Sequence, residues 1–277
     1  MRNAILAGLA ALPLVFGCQL DETRRRNFIC LIDYSASMNG ANMQRSMNVI
    51  SRFVLPNLHE RDRLIVLPID GASKTVAEKI FYLDMSEKVF SLPSDGYTHA
   101  RDSTKKRVLD FMTMVGGTIE RGIQKHWVTR KRYSNFSDIF GALEQTASYI
   151  EHGDELKESS SNFFTALLEK GKEPDVENVV LIISDMKHES PEFTFSRPEG
   201  CPPSYARHVL STLQDRDGIP DLTGCKIFVY GRTGRSNREV ENIKRFWMKY
   251  FKEAQADVVA YDYEPDNVVT AFLNGHR

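Results

Sequence analysis

Three oxygen-bearing side chains stand at alternate positions in the segment Asp33-Tyr34-Ser35-Ala36-Ser37. The segment follows the apolar run from Phe28 to Ile32, which is typical of a strand buried on both faces. The oxygens would therefore emerge where that strand leaves a sheet. A carboxylate followed by two hydroxyls suits a small, hard cation such as Mg2+, which prefers oxygen ligands and keeps part of its water. The spacing predicts a metal site.

A second carboxylate and another hydroxyl stand beside later elements. Asp185 follows the apolar run 179–183 and Ser184, and Ser137 precedes a helical pattern that it can cap while also offering its hydroxyl. The carboxyl ends of strands in an open α/β sheet meet at one rim, where two carboxylates repel each other unless a cation lies between them. We therefore expect one cation to be held by five side chains: Asp33, Ser35, Ser37, Ser137 and Asp185.

Segments 33–37, 137–143 and 179–185 resemble the three metal-binding loops of a von Willebrand factor type A (VWA) domain, and the resemblance spans roughly residues 27–265. It implies a metal-ion-dependent adhesion site. By this resemblance, Ser35, Ser37 and Ser137 would bind the cation directly, and Asp33 and Asp185 would bind it directly or through water. The cation would be Mg2+, or else Mn2+ or Ca2+, and an acidic residue of a protein partner would fill the open position.

The same segments depart from the family pattern in two places. Ser137 stands where threonine is usual, and Met186 stands where glycine is common, so we expect the loop after Asp185 to differ in shape. His188 and Glu189 follow closely, and we interpret them as surface residues.

Strand and helix patterns alternate along the rest of the chain. This alternation predicts an α/β fold with a doubly wound, mostly parallel six-stranded sheet and helices on both faces, a Rossmann-like arrangement as in VWA domains. The predicted strands cover residues 28–32, 64–69, 80–83, 179–183, 225–230 and 258–261. Pro68 requires a strand end or a bulge.

Two stretches are longer than the connections of such a sheet require. Residues 85–133 contain a polar loop and a helix from about Thr104 to Gln124, which we expect Gly116-Gly117 to interrupt. Residues 153–176 contain an acidic, serine-rich start and an apolar patch. We interpret residues 27–277 as one VWA-like domain that carries both insertions, and the insertions as places where partner choice is set.

Residues 1–17 are typical of a secretory signal peptide, since their apolar run is shorter than the roughly 20 residues of a bilayer-spanning helix. The segment Val15-Phe16-Gly17-Cys18 resembles a bacterial lipobox, which implies that Cys18 is lipidated. Residues 18–26 would form a short basic linker whose arginines, 24–26, stay solvated near lipid headgroups. The chain would then be exported to the bacterial cell envelope and held by its lipid on the periplasmic or cell-surface side of a membrane.

The charge balance does not suit nucleic-acid binding. The chain has 36 Lys and Arg against 37 Asp and Glu, so no strongly basic field exists and we expect no nucleic-acid partner. No cysteine or histidine spacing is typical of zinc. Cys201 and Cys225 can pair in an oxidising compartment or remain thiols, and the sequence leaves both states open.

Together with these patterns, the resemblance to VWA domains implies a binding module, not an enzyme, that captures an acidic side chain of a protein partner through a divalent cation. Two alternatives stay open. Asp33 could serve a Mg2+-dependent phosphohydrolase as nucleophile or ligand, although Ser35 stands where such a phosphatase would have a second Asp. The chain could also be a VWA-like scaffold without metal function.

Overall fold

A mixed six-stranded sheet carries the residues of interest. The computed structural model describes residues 25–35, 40–59, 62–71, 73, 79–85, 102–130, 136–151, 176–231, 234–262 and 265–275. The predicted signal peptide, Cys18, Ser37 and residues 153–175 lie outside the described residues. Within the described ranges, no helix is both long enough and apolar enough to cross a bilayer.

The predicted α/β class with a mostly parallel six-stranded sheet is confirmed. The strands are β1 (Arg26–Asp33), β2 (Arg63–Ile69), β3 (Phe81–Asp84), β4 (Glu177–Ile183), β5 (Lys226–Tyr230) and β6 (Asp257–Asp262). Their order across the sheet is β3-β2-β1-β4-β5-β6. β3 runs antiparallel to β2, and the other neighbours are parallel. All six predicted strands are present.

Helices connect these strands in the described part of the chain. They are α1 (Gly40–Val49), α2 (Asp102–Arg130), α3 (Ile139–Glu151), α4 (Pro203–Gln214), α5 (Asn237–Glu253) and α6 (Asp266–Gly275). A π-helical turn (Ile50–Val54) and a 3-10 turn (Leu55–Asn57) continue α1.

The alternating side chains of β1 enter two separate apolar clusters. Ile29 and Leu31 belong to the first core cluster, which β1 shares with α3, α4 and α5. Phe28, Cys30 and Ile32 belong to the second core cluster, which contains residues of α1, α2 and α6. Since successive residues of a strand point to opposite faces, β1 is buried from both sides, as its continuous apolar sequence predicts.

Pro68 lies inside β2 without disturbing the sheet. β2 pairs with β3 only from Arg63 to Val66, so Pro68 lies beyond the end of β3. On the side of β1, the Ile69 carbonyl accepts the Tyr34 backbone N–H. Successive residues of a strand direct their backbone groups to opposite sides, so the backbone nitrogen of Pro68 points away from β1. Among the described strands, none needs the N–H that proline lacks, which is the situation in which a strand tolerates proline.

The predicted interruption of the long helix at Gly116-Gly117 is wrong. α2 is continuous over 29 residues, longer at both ends than predicted. One face of the helix is buried in the second core cluster through Phe111, Val115, Ile119 and Ile123. Two glycines cost a helix interior about 1 kcal/mol each, and burial of this apolar face offsets that cost.

Two arginines of the predicted basic linker, Arg25 and Arg26, form ion pairs in the fold and are not solvated as expected. Arg26 is the first residue of β1, and its guanidinium lies 3.0 Å from the Asp62 carboxylate, with both side chains buried. Arg25 lies 3.4 Å from Asp84, which also pairs with Arg63 at 3.1 Å. These acids are far away in sequence, so only the folded sheet brings them to the arginines.

Gly117→Ala should stabilise the protein, because a Cβ at this helical position would meet no atom within 4 Å. We expect the free energy of unfolding to rise by roughly 0.5–1 kcal/mol, measured by urea denaturation. Gly122 on the same helix is the matched control. Its Cβ would lie 3.1 Å from Ile80 Cγ2 and 3.2 Å from the Ile80 carbonyl oxygen, so Gly122→Ala should give no gain. Equal gains at both positions would contradict the packing of α2 described above.

Candidate metal centre

The carboxyl ends of β1 and β4 lie side by side at the place where strand order reverses. From β1 the chain continues to β2 on one side, and β4 later adds to the other side. Ile32 is paired with Ile183, so Asp33 and the Ser184-Asp185 pair leave the sheet at the same level. A crevice of this kind is where open α/β sheets bind ligands.

Asp33 is buried and accepts hydrogen bonds at both carboxylate oxygens. The Ser35 backbone N–H donates to Oδ1 at 2.8 Å. The Ser137 hydroxyl donates to Oδ2 at 3.1 Å, and the Ser184 hydroxyl donates to the same oxygen at 2.6 Å. Three of the predicted residues, Asp33, Ser35 and Ser137, therefore meet at one point.

Asp185 lies close enough to Asp33 for the two carboxylates to repel each other. Burial, and after it the charge of Asp185, raises the pKa of Asp33 to about 6. Oδ1 of Asp185 accepts the backbone N–H of Lys187 at 3.0 Å. Four of the five predicted residues are thus brought together, and the fifth, Ser37, lies outside the described residues.

Sequence reasoning missed Ser184 as a member of this cluster. Its hydroxyl donates to Asp33 and accepts the backbone N–H of Met186 at 2.9 Å, so it ties the end of β4 to the end of β1. The available signal was its place directly before Asp185, in the strand-end segment already selected for its carboxylate.

The expectation that Ser137 caps the following helix is wrong. The Asp138 carboxylate accepts the Gly141 backbone N–H at 3.0 Å and so caps α3, while the Ser137 hydroxyl turns to Asp33. The Ser137 backbone exchanges two hydrogen bonds of 3.0 Å with Glu189, which holds it beside the loop after β4. The division of roles leaves the hydroxyl directed at the candidate centre.

The residue after Asp185, Met186, has a left-handed backbone conformation and stands where the VWA pattern has glycine. Met186 has φ +62, a backbone conformation that costs a non-glycine residue roughly 1–2 kcal/mol. Its side chain is buried in the first core cluster, and its carbonyl accepts the Trp247 indole N–H at 2.8 Å. These contacts from α5 stabilise the strained residue.

His188 is buried, so its interpretation as a surface residue is wrong. Its ring lies 4.1 Å from the Phe140 ring centroid to centroid, and its Nδ1 accepts the Ile139 backbone N–H at 3.2 Å. Burial lowers the pKa of His188 to about 3. The imidazole is therefore neutral at physiological pH, carries its proton on Nε2 and donates it toward Ser190. Its role is to brace α3, not to present charge at the rim. Glu189, the other residue of that interpretation, is only partly buried.

The donor set fits a hard divalent cation better than a softer one. It contains two carboxylates, from Asp33 and Asp185, and hydroxyls from Ser35, Ser137 and Ser184, all of which are oxygen ligands. Among the described residues, no three His, Cys, Asp or Glu side chains cluster closely enough to hold a metal by themselves. A cation at this edge would depend on serine hydroxyls and water for much of its coordination.

Comparison of the chain with protein-family models and with curated proteins gives no match. The similarity to VWA domains therefore rests on the three loop segments and their chain order. The contacts of Asp33 with its neighbouring side chains are observed in the structure and do not depend on the similarity to VWA domains.

Both cysteines considered for a disulfide are buried as free thiols. Cys201 and Cys225 belong to the first core cluster, and burial raises the pKa of each thiol to about 12. They are unreactive in this state, and their pairing in an oxidising compartment stays a prediction.

Gly231→Ala should disrupt the candidate centre from behind. Gly231 follows β5 with φ +135, and a Cβ there would overlap the Ser184 carbonyl oxygen and carbon. We expect a loss of about 3 kcal/mol in unfolding free energy, measured by urea denaturation, because both strain and overpacking contribute. Gly224 is the control: it has φ +78 but no neighbour within 4 Å of a Cβ, so Gly224→Ala should cost about 1 kcal/mol. Equal losses would contradict the close approach.

Ionisation of Asp33 should destabilise the metal-free protein as pH rises. The folded-state pKa, about 6, lies above the ordinary 3.8, so between these values the native state retains a proton that the unfolded state has lost. The contribution of Asp33 to the free energy of unfolding is therefore largest below pH 4 and is lost as the pH rises through 6. The difference in unfolding free energy between wild type and Asp33→Asn should fall by up to about 3 kcal/mol from pH 4 to 7.

This difference is measured by denaturant titration in chelator. Asp221 is the control of opposite sign, since hydrogen bonds from Thr223 lower the pKa of this exposed carboxyl, and Asp221→Asn should not reproduce the fall. A wild-type and Asp33→Asn difference that stays constant with pH would mean that Asp33 ionises normally.

Proposed function

We propose that this chain is a VWA-type binding module that captures an acidic residue of a protein partner through a divalent cation, most simply Mg2+. The observation that carries the proposal is the convergence of Asp33, Ser35, Ser137 and Asp185 at the carboxyl ends of β1 and β4. Ser37 would complete the set. The partner's carboxylate would occupy the coordination position left open by the protein.

Strand order and layering support a doubly wound fold of the VWA kind. The order β3-β2-β1-β4-β5-β6 places the switch point between β1 and β4. The two core clusters on opposite sides of β1 are each covered by helices, which is the layering of a doubly wound sheet.

The charge distribution supports a cation as the missing component. Two carboxylates buried at one edge destabilise each other, and a divalent ion between them would neutralise both. The hydroxyls of Ser35 and Ser137 that now bond to or face Asp33 could turn their lone pairs to such an ion without movement of the backbone. Binding would therefore require little reorganisation.

A lipid anchor on Cys18 would be joined to the fold through a linker that leads into the start of β1. β1 begins at Arg26, close in sequence to the proposed anchor, and ends at Asp33. Eight residues of strand span roughly 26 Å, so the chain would enter β1 from the linker at one end and reach the cation at the other. An exported, envelope-bound module would in this way present its binding edge to a partner.

The hydrogen bonds of Asp33 disfavour its use as the nucleophile of a phosphohydrolase. A nucleophilic carboxylate needs an accessible oxygen aligned with the phosphorus atom, whereas both oxygens of Asp33 already accept hydrogen bonds and the side chain is buried. A ligand or positioning role suits this environment better than attack on a substrate.

Calorimetric titration of the apo-protein with Mg2+, Mn2+ and Ca2+ tests the cation. We expect saturable binding, weakened at least tenfold in Ser35→Ala and in Asp185→Ala, because each removes an oxygen that faces the ion. Asp110→Ala is the matched control, since Asp110 is exposed on α2 and should leave the affinity unchanged.

A pull-down from membranes with and without chelator tests the partner bridge. Binding that needs the divalent ion and fails in both site variants supports the proposal, and binding retained in chelator and in both variants contradicts it. Mg2+-dependent hydrolysis of a phosphate ester that Asp33→Asn abolishes would favour the enzyme instead. The absence of any metal binding by wild type would leave only the scaffold alternative.

A further inference from the structure

Tyr34 separates the two candidate ligands Asp33 and Ser35 in sequence, and unlike them it points into the second core cluster. Its backbone N–H donates to the Ile69 carbonyl at 3.0 Å, which ties it to the end of β2. Its hydroxyl donates to the Ile123 carbonyl of α2 at 3.4 Å. The residue between the candidate ligands is therefore held by a strand and by a helix.

Two aromatic rings of α2 pack on the Tyr34 ring. His126 meets it edge-on with centroids 4.6 Å apart, and Trp127 lies 5.9 Å away. Tyr34 and His126 are both buried, so the ring of Tyr34 has little room to turn. Any displacement of α2 at this level would press on the segment that carries Asp33 and Ser35.

A buried polar pair fixes the orientation of His126. Its Nε2 lies 3.3 Å from Oδ2 of Asp70, the residue that follows β2. The Asp70 backbone N–H donates to the Ser73 hydroxyl at 2.9 Å, and the Ser73 N–H donates back to the Asp70 carbonyl at 3.2 Å, which closes a turn. The imidazole is thus attached to the same strand end that holds the Tyr34 backbone.

Simple core packing does not require such a pair. Burying a carboxylate and an imidazole costs desolvation energy that an apolar pair of similar size would avoid, whereas a hydrogen-bonded pair fixes direction. Metal ligands must lie within about 0.2 Å of their ideal distances, and sites on unbraced loops are less accurate. A fixed orientation of Tyr34, between Asp33 and Ser35, therefore gives a reason for the desolvation cost of the Asp70–His126 pair.

We propose that α2 positions the segment 33–35 for cation binding through Tyr34, and that Asp70 and His126 are positioning residues for that site. The inference about affinity rests on the function proposed above, while the inference about the backbone of Tyr34 and Ser35 does not. It assigns a role to the long helix α2, which sequence reasoning treated as part of an insertion.

His126→Phe tests the proposal, since it keeps a ring against Tyr34 and removes the hydrogen bond to Asp70. Val115→Ala is the matched control, because Val115 is buried on the same helix in the same core cluster and no contact described here links it to Tyr34. Both variants should lower the melting temperature. Only His126→Phe should raise the Mn2+ dissociation constant, by tenfold or more, while Val115→Ala should leave it within twofold.

Amide hydrogen exchange of the metal-free proteins separates this inference from the proposed function. The Tyr34 and Ser35 amides donate to the Ile69 carbonyl and to Asp33, and both should exchange faster in His126→Phe than in Val115→Ala. His126→Gln, whose amide can again donate to Asp70, should restore slow exchange and part of the Mn2+ affinity.

Exchange at Tyr34 and Ser35 that is no faster in His126→Phe than in the control overturns the positioning role, even if wild type binds Mn2+. Faster exchange together with no Mn2+ binding by wild type supports the positioning of the backbone and overturns the proposed function instead. An unchanged Mn2+ affinity in His126→Phe, with wild type binding normally, also overturns the inference.

Discussion

Repulsion between two buried carboxylates is the constraint on which this structure depends. Asp33 and Asp185 leave adjacent parallel strands at the same level, and burial and proximity both favour the protonated form of Asp33. Hydrogen bonds from Ser184 and from Ser35 oppose that effect. Donor groups alone lower the cost of the negative charge without removing it, and this remaining cost supports the proposal of a divalent cation at this edge.

The loop after β4, which carries Asp185, contains a strained backbone residue directly beside this carboxylate. Met186 occupies the left-handed region, and Gly231 approaches the Ser184 carbonyl more closely than any side chain would allow. The Trp247 indole bonds to the Met186 carbonyl from α5, and the Lys187 ammonium lies 2.9 Å from Glu239, at the start of the same helix. Helix α5 thus holds the loop after β4 at Met186 and at Lys187, and these two contacts stabilise the strained backbone of the loop.

The central strands β1, β2, β4 and β5 could be predicted from sequence because they are apolar and largely buried on both faces. Most of the candidate centre could be predicted because Asp33, Ser35 and Asp185 lie at or just after the ends of two of these strands. What sequence patterns could not provide is tertiary context. Arg26 pairs with Asp62, the residue before β2. His188 is buried because Phe140 of α3 and Phe195 pack on it. The helix across Gly116-Gly117 continues because one of its faces is buried, and local propensity alone favours a break there. Each of these outcomes depends on residues distant in the chain.

Uncharged side chains form a wall around His188, three residues after Asp185, and this wall has an electrostatic consequence. Ile139 donates its N–H to His188 Nδ1, so this imidazole cannot accept a proton there without losing that bond, and its low pKa keeps the ring uncharged. Phe140 and the aromatic residues of α5 continue the wall below it. This packing itself therefore supplies no charge that could screen Asp33 and Asp185. In such surroundings the attraction between these carboxylates and a cation is stronger than in water, and so is their mutual repulsion without one. The same packing would therefore both destabilise the two carboxylates without a metal and strengthen their binding of a cation.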